Sequence, residues 1–329
     1  MLRYIARRIL LMIPTLILIS FVTFIVVQLP PGDYLNAYVA QLTQEGGESV
    51  DREQIEILRE RYGLNEPFLV QYWKWISNIV FEGDFGRSFE WERPVSDLLW
   101  GRIALTFVVS LASLLFVYCV AFPIGVYSAI RKYSLGDYVF TFLGFLGLAV
   151  PNFLLALVLM VTSLQVFGVT PGGLFSPEYA EAPWSFAKLM DFLAHLWIPM
   201  IIIGTASTAA LIRVMRANLL DELNKPYVET ARAKGQSEAV LIMRYPVRIA
   251  LNPFVSRLGW ELPALVSGAA ITSIVLNLPT AGPILLSALQ SQDMFLAGSF
   301  ILILSVLTVI GTLISDILLA WLDPRIRYS

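Results

Sequence analysis

Side chains able to do chemistry are scarce in this 329-residue chain. It holds one histidine, His195, and one cysteine, Cys119. One of each cannot assemble a structural zinc site, a disulfide or a Cys/His nucleophile pair. No Gly-Lys pair occurs anywhere, so the Gly-x-x-x-x-Gly-Lys-Ser/Thr phosphate loop is absent, and a lone His rules out His-Glu-x-x-His. Any ATP that powers this protein must therefore sit on another chain. The residues predict no metal, no cofactor and no catalysis by the chain itself. The formal net charge of −2 also gives no basic field to recruit nucleic acid.

The elements that position the few polar groups follow from composition. Hydrophobic residues make up 57% of the chain and charged ones only 15%, well below the roughly 25% charged residues of soluble domains. Mean hydropathy is +0.70. A spanning helix needs about 20 apolar residues to cross roughly 30 Å of hydrocarbon. The stretches 9–29, 103–130, 138–167, 192–212, 258–278 and 294–315 qualify, and within them only Glu261 carries a formal charge. The expected fold is an all-α polytopic membrane protein with six transmembrane helices. The first stretch has a basic start in Arg3, Arg7 and Arg8 but no small-x-small exit, so it is read as an uncleaved helix.

Lysine and arginine placement sets the orientation. With the amino terminus inside, 15 of the 23 basic residues fall in cytoplasmic segments. Segment 30–102 then lies outside with 7 basic and 13 acidic residues. Both termini are expected in the cytoplasm. Segment 30–102 reads as a cap of two short helices. Asp51 with Gln54 fits a capping box ahead of a face of Ile55, Leu58 and Tyr62 that ends at Gly63. Pro67 opens a second helix to about Phe81, and Glu82-Gly83-Asp84-Phe85-Gly86 closes the segment as turns. The cap reads as a lid or as a docking surface for an extracytoplasmic partner, and the two are compatible.

Segment 213–257 holds 8 basic and 4 acidic residues yet keeps helical character. Pro226 can open a helix over 227–234, Gly235 permits a sharp turn, and a second helix runs from Ser237 to about Arg244. Such a helix-Gly-helix knob between two spans could pass a partner's motion into the membrane; it could equally be an ordinary basic loop.

Glu229-Thr230-Ala231 followed by Gly235 resembles the Glu-Ala-Ala-x-x-x-Gly signature of permease subunits of binding-protein-dependent ABC importers, with Thr in place of the first Ala. The longer string 227–235 resembles the dipeptide/oligopeptide branch. So do Leu2-Arg3-Tyr4-Ile5-Ala6-Arg7-Arg8, Pro31-Gly32-Asp33, Tyr62-Gly63-Leu64, Pro67, Gln71-Tyr72 and Trp75. Gly83-Asp84-Phe85-Gly86-x-Ser88, Pro151 with Phe153, the Arg213/Arg216 pair and Asp323-Pro324-Arg325-Ile326-Arg327 extend the likeness along the whole chain.

The resemblance implies the type I ABC importer transmembrane domain in a bacterial or archaeal cytoplasmic membrane. It divides the chain into a tail and first span (1–30), an extracytoplasmic cap (31–101), a permease core (102–322) with a coupling loop at 213–257, and a tail (323–329). It implies as partners a second homologous permease, two ATP-binding cassette ATPases that carry ATP and Mg, and an extracytoplasmic substrate-binding protein. Glu229, Thr230, Ala231 and Gly235 would couple to the ATPase, with Ala231 keeping a close contact free of bulk and Gly235 making the turn.

Two departures are visible. An Ile-x-Leu-Pro-like end after the Gly is replaced by Tyr245-Pro246-Val247-Arg248. At the end of the fifth span, Thr-Glu-x-Ile-Phe and Pro-Gly-Leu-Gly are replaced by Thr272-Ser273-Ile274-Val275-Leu276 and Pro279-Thr280-Ala281-Gly282. The lost acid leaves oligopeptides and oligosaccharides both open as cargo. The runner-up function is an ion-gradient-coupled secondary transporter, disfavoured because no internal repeat or midplane charge is found. An intramembrane enzyme lacks the paired aspartates it would need.

The remaining polar residues have modest expected roles. Glu261 and Asp316 anchor at an interface or pair with nearby Arg. His195 beside Trp197 is a belt residue, and Cys119 packs mid-span. Pro14, Pro123, Pro151 and Pro199 interrupt helices, and the small residues at 204–208 either permit close packing or line a path.

Overall fold

A computed structural model of the chain describes residues 2–29, 66–88, 90–167 and 172–322. The Asp51/Gln54 capping box, the 55–62 helix face, Gly63, Pro31-Gly32-Asp33 and the tail 323–329 lie outside the described residues. Among the described residues the chain is helical, without a β-strand. It divides into two compact units.

One unit comprises Ile9–Leu105 and Thr280–Val309. Here helix α1 (Leu2–Gln28) packs on α2 (Phe68–Ser77) through Phe24, whose ring lies 5.6 Å from Tyr72 and 5.5 Å from Trp75. Ser20 and Tyr72 share a hydroxyl hydrogen bond of 2.8 Å, and Gln28 donates to Gln71 at 2.7 Å. Pro67 caps α2, which passes into one π-helical stretch, Asn78–Glu82. Gly83 ends it at φ +68°, the left-handed conformation that glycine adopts without a Cβ penalty. Asp84 Oδ1 accepts from the Gly86 N–H at 2.8 Å, and a Cβ on Gly86 would fall 2.8 Å from the Phe295 ring. The turn-rich reading therefore holds from Gly83 to Gly86, while Glu82 ends the helix, and the second glycine is a close-approach residue. Asp293 is fully buried ahead of helix α12 (Met294–Leu322); helix α3 (Val95–Ile130) and α11 (Ala281–Gln290) complete the core with Val95, Leu99, Ile284 and Phe300.

The other unit comprises Met1–Arg8, Thr106–Pro279 and Ile310–Ser329. It holds α4 (Leu135–Ala149), α5 (Asn152–Phe167) and α6 (Phe186–Leu223). It also holds α7 (Pro226–Ala233), α8 (Glu238–Arg244), α9 (Pro246–Ser256) and α10 (Leu258–Val275). Its core gathers Val117 and Ala121 of α3, Leu211, Met215 and Leu219 of α6, and Phe254 of α9. The Tyr118 hydroxyl donates to the Phe254 carbonyl at 3.2 Å. Gly125 lets α3 approach α6: an added Cβ would stand 2.6 Å from Met215 Cβ and 3.2 Å from the Ile212 carbonyl. Gly125→Leu is expected to destabilise the chain by about 1–3 kcal/mol through overpacking, read as a lower thermal midpoint in detergent. An unchanged midpoint would contradict this packing.

Among the described residues, four helices are long and apolar enough to cross a membrane: Ile5–Gln28, Val95–Ile130, Phe186–Leu223 and Met294–Leu318. A fifth span can be made from α4 with α5, and α10 is an 18-residue helix over the 258–278 stretch. The continuous third span expected over 138–167 is corrected. It is two helices bent by 101°. Val150 is extended at φ −90°, ψ 119°, as steric conflict with a following proline demands, and Pro151 has no N–H to continue the ladder. Pro14, Pro123 and Pro199 instead lie inside unbroken helices, as apolar spans tolerate. Only Pro151 of the four breaks its helix.

Candidate functional site: the 213–257 knob

Helix α6 runs past the predicted end of its apolar stretch to Leu223, which brings the start of the knob onto a rigid element. Lys225 is held extended at ψ 146° by the proline that follows it, and Pro226 occupies the first helical position, where a missing N–H costs nothing. The Tyr227 hydroxyl donates to Glu222 Oε2 at 2.6 Å, tying α7 to the end of α6. Burial first, then that carboxylate, pushes the Tyr227 hydroxyl well above the usual tyrosine value. Val228 is fully buried in the core around Met215 and Leu241, and Ala231, three residues on, packs partly against the same core. Val228 thus fixes the inner face of α7.

The opposite face is free. Glu229 and Thr230 are exposed. Glu229 lies in the first turn, where a negative charge suits the helix dipole, and Thr230 Oγ1 donates to the Pro226 carbonyl at 3.0 Å. Gly235 ends the helix at φ +74°, its N–H bonded to the Arg232 carbonyl at 3.0 Å. The four predicted residues Glu229, Thr230, Ala231 and Gly235 therefore share one helix and its terminal turn.

Sequence reasoning missed the brace across that turn. Arg232 donates to both carboxylate oxygens of Glu238, at 2.6 and 3.1 Å, joining α7 to α8. The hydrogen bond to Arg232 holds the Glu238 carboxyl below the ordinary glutamate value. What the pair contributes is thus present above the ordinary value and lost as pH falls through the lowered one. Both side chains are about half exposed, so the brace orients the turn more than it stabilises the fold. Glu229 thus sits at the helix start, and the acid that pairs across the turn is Glu238. After α8, whose Leu241 and Ile242 are buried, Pro246 opens α9. The departure at 245–248 thus forms a helix start.

The other singled-out residues take structural positions. Arg257 stands 3.8 Å from buried Glu261, and Arg8 pairs with Asp316 at 3.1 Å. His195 Nδ1 lies 2.8 Å from the Asp191 carbonyl, one helical turn back. Gly204 packs its backbone onto α3, where a Cβ would sit 3.0 Å from Phe116 and Val117. Cys119 does not pack: it is exposed. Buried Val117 and Ala121 flank it at two residues on either side, which on a helix turns Cys119 to the far face.

Comparison with known proteins identifies the family. Residues 121–328 match the binding-protein-dependent transport system inner membrane component, and residues 1–112 match the N-terminal part of such membrane components. The chain is 36% identical over 327 residues to the oligopeptide transport system permease protein AppB of Bacillus subtilis, covering 99% of each chain. It is 30% identical to the dipeptide transport system permease protein DppB of Alkalihalophilus pseudofirmus, covering all of both. It is 31% identical to the glutathione transport system permease protein GsiC of Escherichia coli, again over the full length of both. Among solved structures, a chain of the inward-facing MetNI methionine ABC transporter superposes with a TM-score of 0.54 at 15% identity, covering 69% of this chain and 96% of that one. Among the described residues the fold is helical, and an ABC transporter chain is its structural neighbour. The chain belongs to the binding-protein-dependent transport system inner membrane components, as an ABC importer permease of the dipeptide/oligopeptide branch.

Proposed function

We propose that the chain forms one half of the membrane pathway of an ATP-driven peptide importer. It crosses the bilayer six times with both termini in the cytoplasm. It pairs with a second homologous permease and with two ATPase subunits, which hold the ATP and Mg. A substrate-binding protein delivers cargo to the extracytoplasmic cap at 31–101, and the core at 102–322 translocates it. The observation that carries this reading is the α7–Gly235–α8 knob, seated by Val228 and continuous with the long helix α6. ATP binding would favour one of two states of the assembly and move the helices through this knob. Glu229, Thr230, Ala231 and Gly235 serve as the coupling residues.

Peptide cargo is preferred because the relatives at 30–36% identity are named for oligopeptide, dipeptide and glutathione transport. Family membership supports this reading over a gradient-coupled transporter. The test is ATP hydrolysis by the reconstituted assembly with its binding protein. Short peptides are expected to stimulate hydrolysis severalfold and neutral oligosaccharides to leave it at the basal rate. The reverse result would overturn the cargo assignment and favour the reading suggested by the missing acid at 272–276.

A further inference from the structure

The Arg213/Arg216 pair has so far been given no task. In the structure both side chains face α4. Arg216 donates to Asp137 from Nε and from a terminal guanidinium nitrogen, each at 2.8 Å, a bidentate fork with strict geometry. The Asp137 side chain is only 3% exposed, against 28% for Arg216. Asp137 also accepts from the Tyr133 N–H at 2.9 Å and from Thr141 Oγ1 at 3.4 Å. Tyr133 is held at φ +64°, an unusual conformation for a residue with a side chain, so the carboxylate also fixes the turn that starts α4. The Arg213 guanidinium lies 6.0 Å over the Phe145 ring. Farther along, a Cβ on Gly147 would fall 2.8 Å from Thr205 Cγ2, and one on Gly144 would fall 3.8 Å from Ala209 Cβ. Helix α4 is thus fastened to α6 along its length, while α5 departs at 101° beyond Val150–Pro151.

Resting on the importer reading above, we propose that Asp137 and Arg216 are positioning residues that make α4 move with α6 and the knob. Beyond the break at Val150–Pro151, α5 meets α6 through Asn152, which donates to the Ile203 carbonyl at 3.4 Å, and not through an ion pair among the described residues. The driven element is α6, because its end carries α7; the follower is the start of α4; the joint there is an ion pair whose carboxylate is buried. A pair of this kind resists shear, since opening it strands a buried carboxylate. Losing the fork should therefore uncouple the start of α4 from the knob without unseating α7, whose own anchor is Val228.

The test uses the complete assembly in proteoliposomes, in a Cys119→Ser background with spin labels on single cysteines. Leu135→Cys reports on the exposed start of α4 and Val240→Cys on the exposed face of α8. In the unsubstituted protein both labels are expected to respond to ATP. In Asp137→Asn/Arg216→Gln, which removes both charges together, the label at 240 should respond as before and the label at 135 should lose its response. Substrate moved per ATP hydrolysed should fall about tenfold, within the usual span of coupling between sites. Arg216→Lys keeps the charge but not the fork, and it covers the case in which the double variant does not assemble. It is expected to assemble and to show the same loss in smaller measure. If either assembled variant keeps the response at 135 and the wild-type transport per ATP, the proposal is overturned. If the unsubstituted assembly shows no ATP response at either label, the importer reading fails instead.

Discussion

Gly235→Val is expected to abolish ATP-driven uptake while the chain still inserts and keeps its partners. No atom lies within 4 Å of the position that a Cβ would occupy, so the loss would not come from a clash. It would come from the backbone. At φ +74° an L-residue costs about 1–2 kcal/mol, with β-branched side chains at the unfavourable end. The turn would relax toward negative φ and swing α8 away from α7. The brace between Arg232 and Glu238 would part with it, because its 2.6 Å contact needs the two helices in register. Asparagine tolerates the left-handed region, so Gly235→Asn should retain much more uptake than valine at comparable bulk. Equal loss in both variants would mean that free space at this position, not the turn, is what the partner requires.

Asp293→Ala should be the most destabilising single change in the unit that contains α2 and α11. The carboxylate is fully buried and accepts from Ser88 Oγ at 2.6 Å, the Glu90 N–H at 3.3 Å and the Leu296 N–H at 3.1 Å. The last contact caps α12. Removal leaves these donors without this acceptor, at about 1–3 kcal/mol for each buried group left unsatisfied; allowing for partial relaxation, a loss of about 3 kcal/mol is expected. Asp293→Asn keeps one acceptor oxygen and should fall between. Ser287 and Ser291 donate to Glu90 at 2.7 and 2.8 Å, giving Glu90 a second attachment. The thermal midpoint of the purified chain in detergent measures this. A midpoint within error of the unsubstituted protein would show that Ser88 and Glu90 are held by other means.

What was legible in the sequence was local. Pro226 and Gly235 declare their conformations through ring closure and the missing Cβ, so the limits of α7 could be read within a residue. Gly83 and Gly86 announced their turns in the same way. Apolar runs of about 20 residues located the long helices because hydrocarbon thickness sets their length. What was hidden depends on distance along the chain. Asp137 and Arg216 are 79 positions apart, and Ser88 and Asp293 are 205 apart; no periodicity links such pairs. Arg232 and Glu238 are close in sequence, but a spacing of six across a left-handed glycine is not a helical neighbour relation. The bend at Val150–Pro151 was half visible. Four prolines were expected to interrupt helices, and three of them were absorbed, because helix continuity depends on what surrounds the freed carbonyl.

The central claim is that this chain works as one permease of an assembly whose ATP is bound elsewhere. Extraction from the native membrane in mild detergent, followed by mass spectrometry of whatever co-purifies, tests it most directly. Two ATPase chains and a second homologous permease are expected in stable stoichiometry with this one. Recovery of the chain alone, or only with copies of itself, under conditions that preserve known membrane assemblies would contradict it.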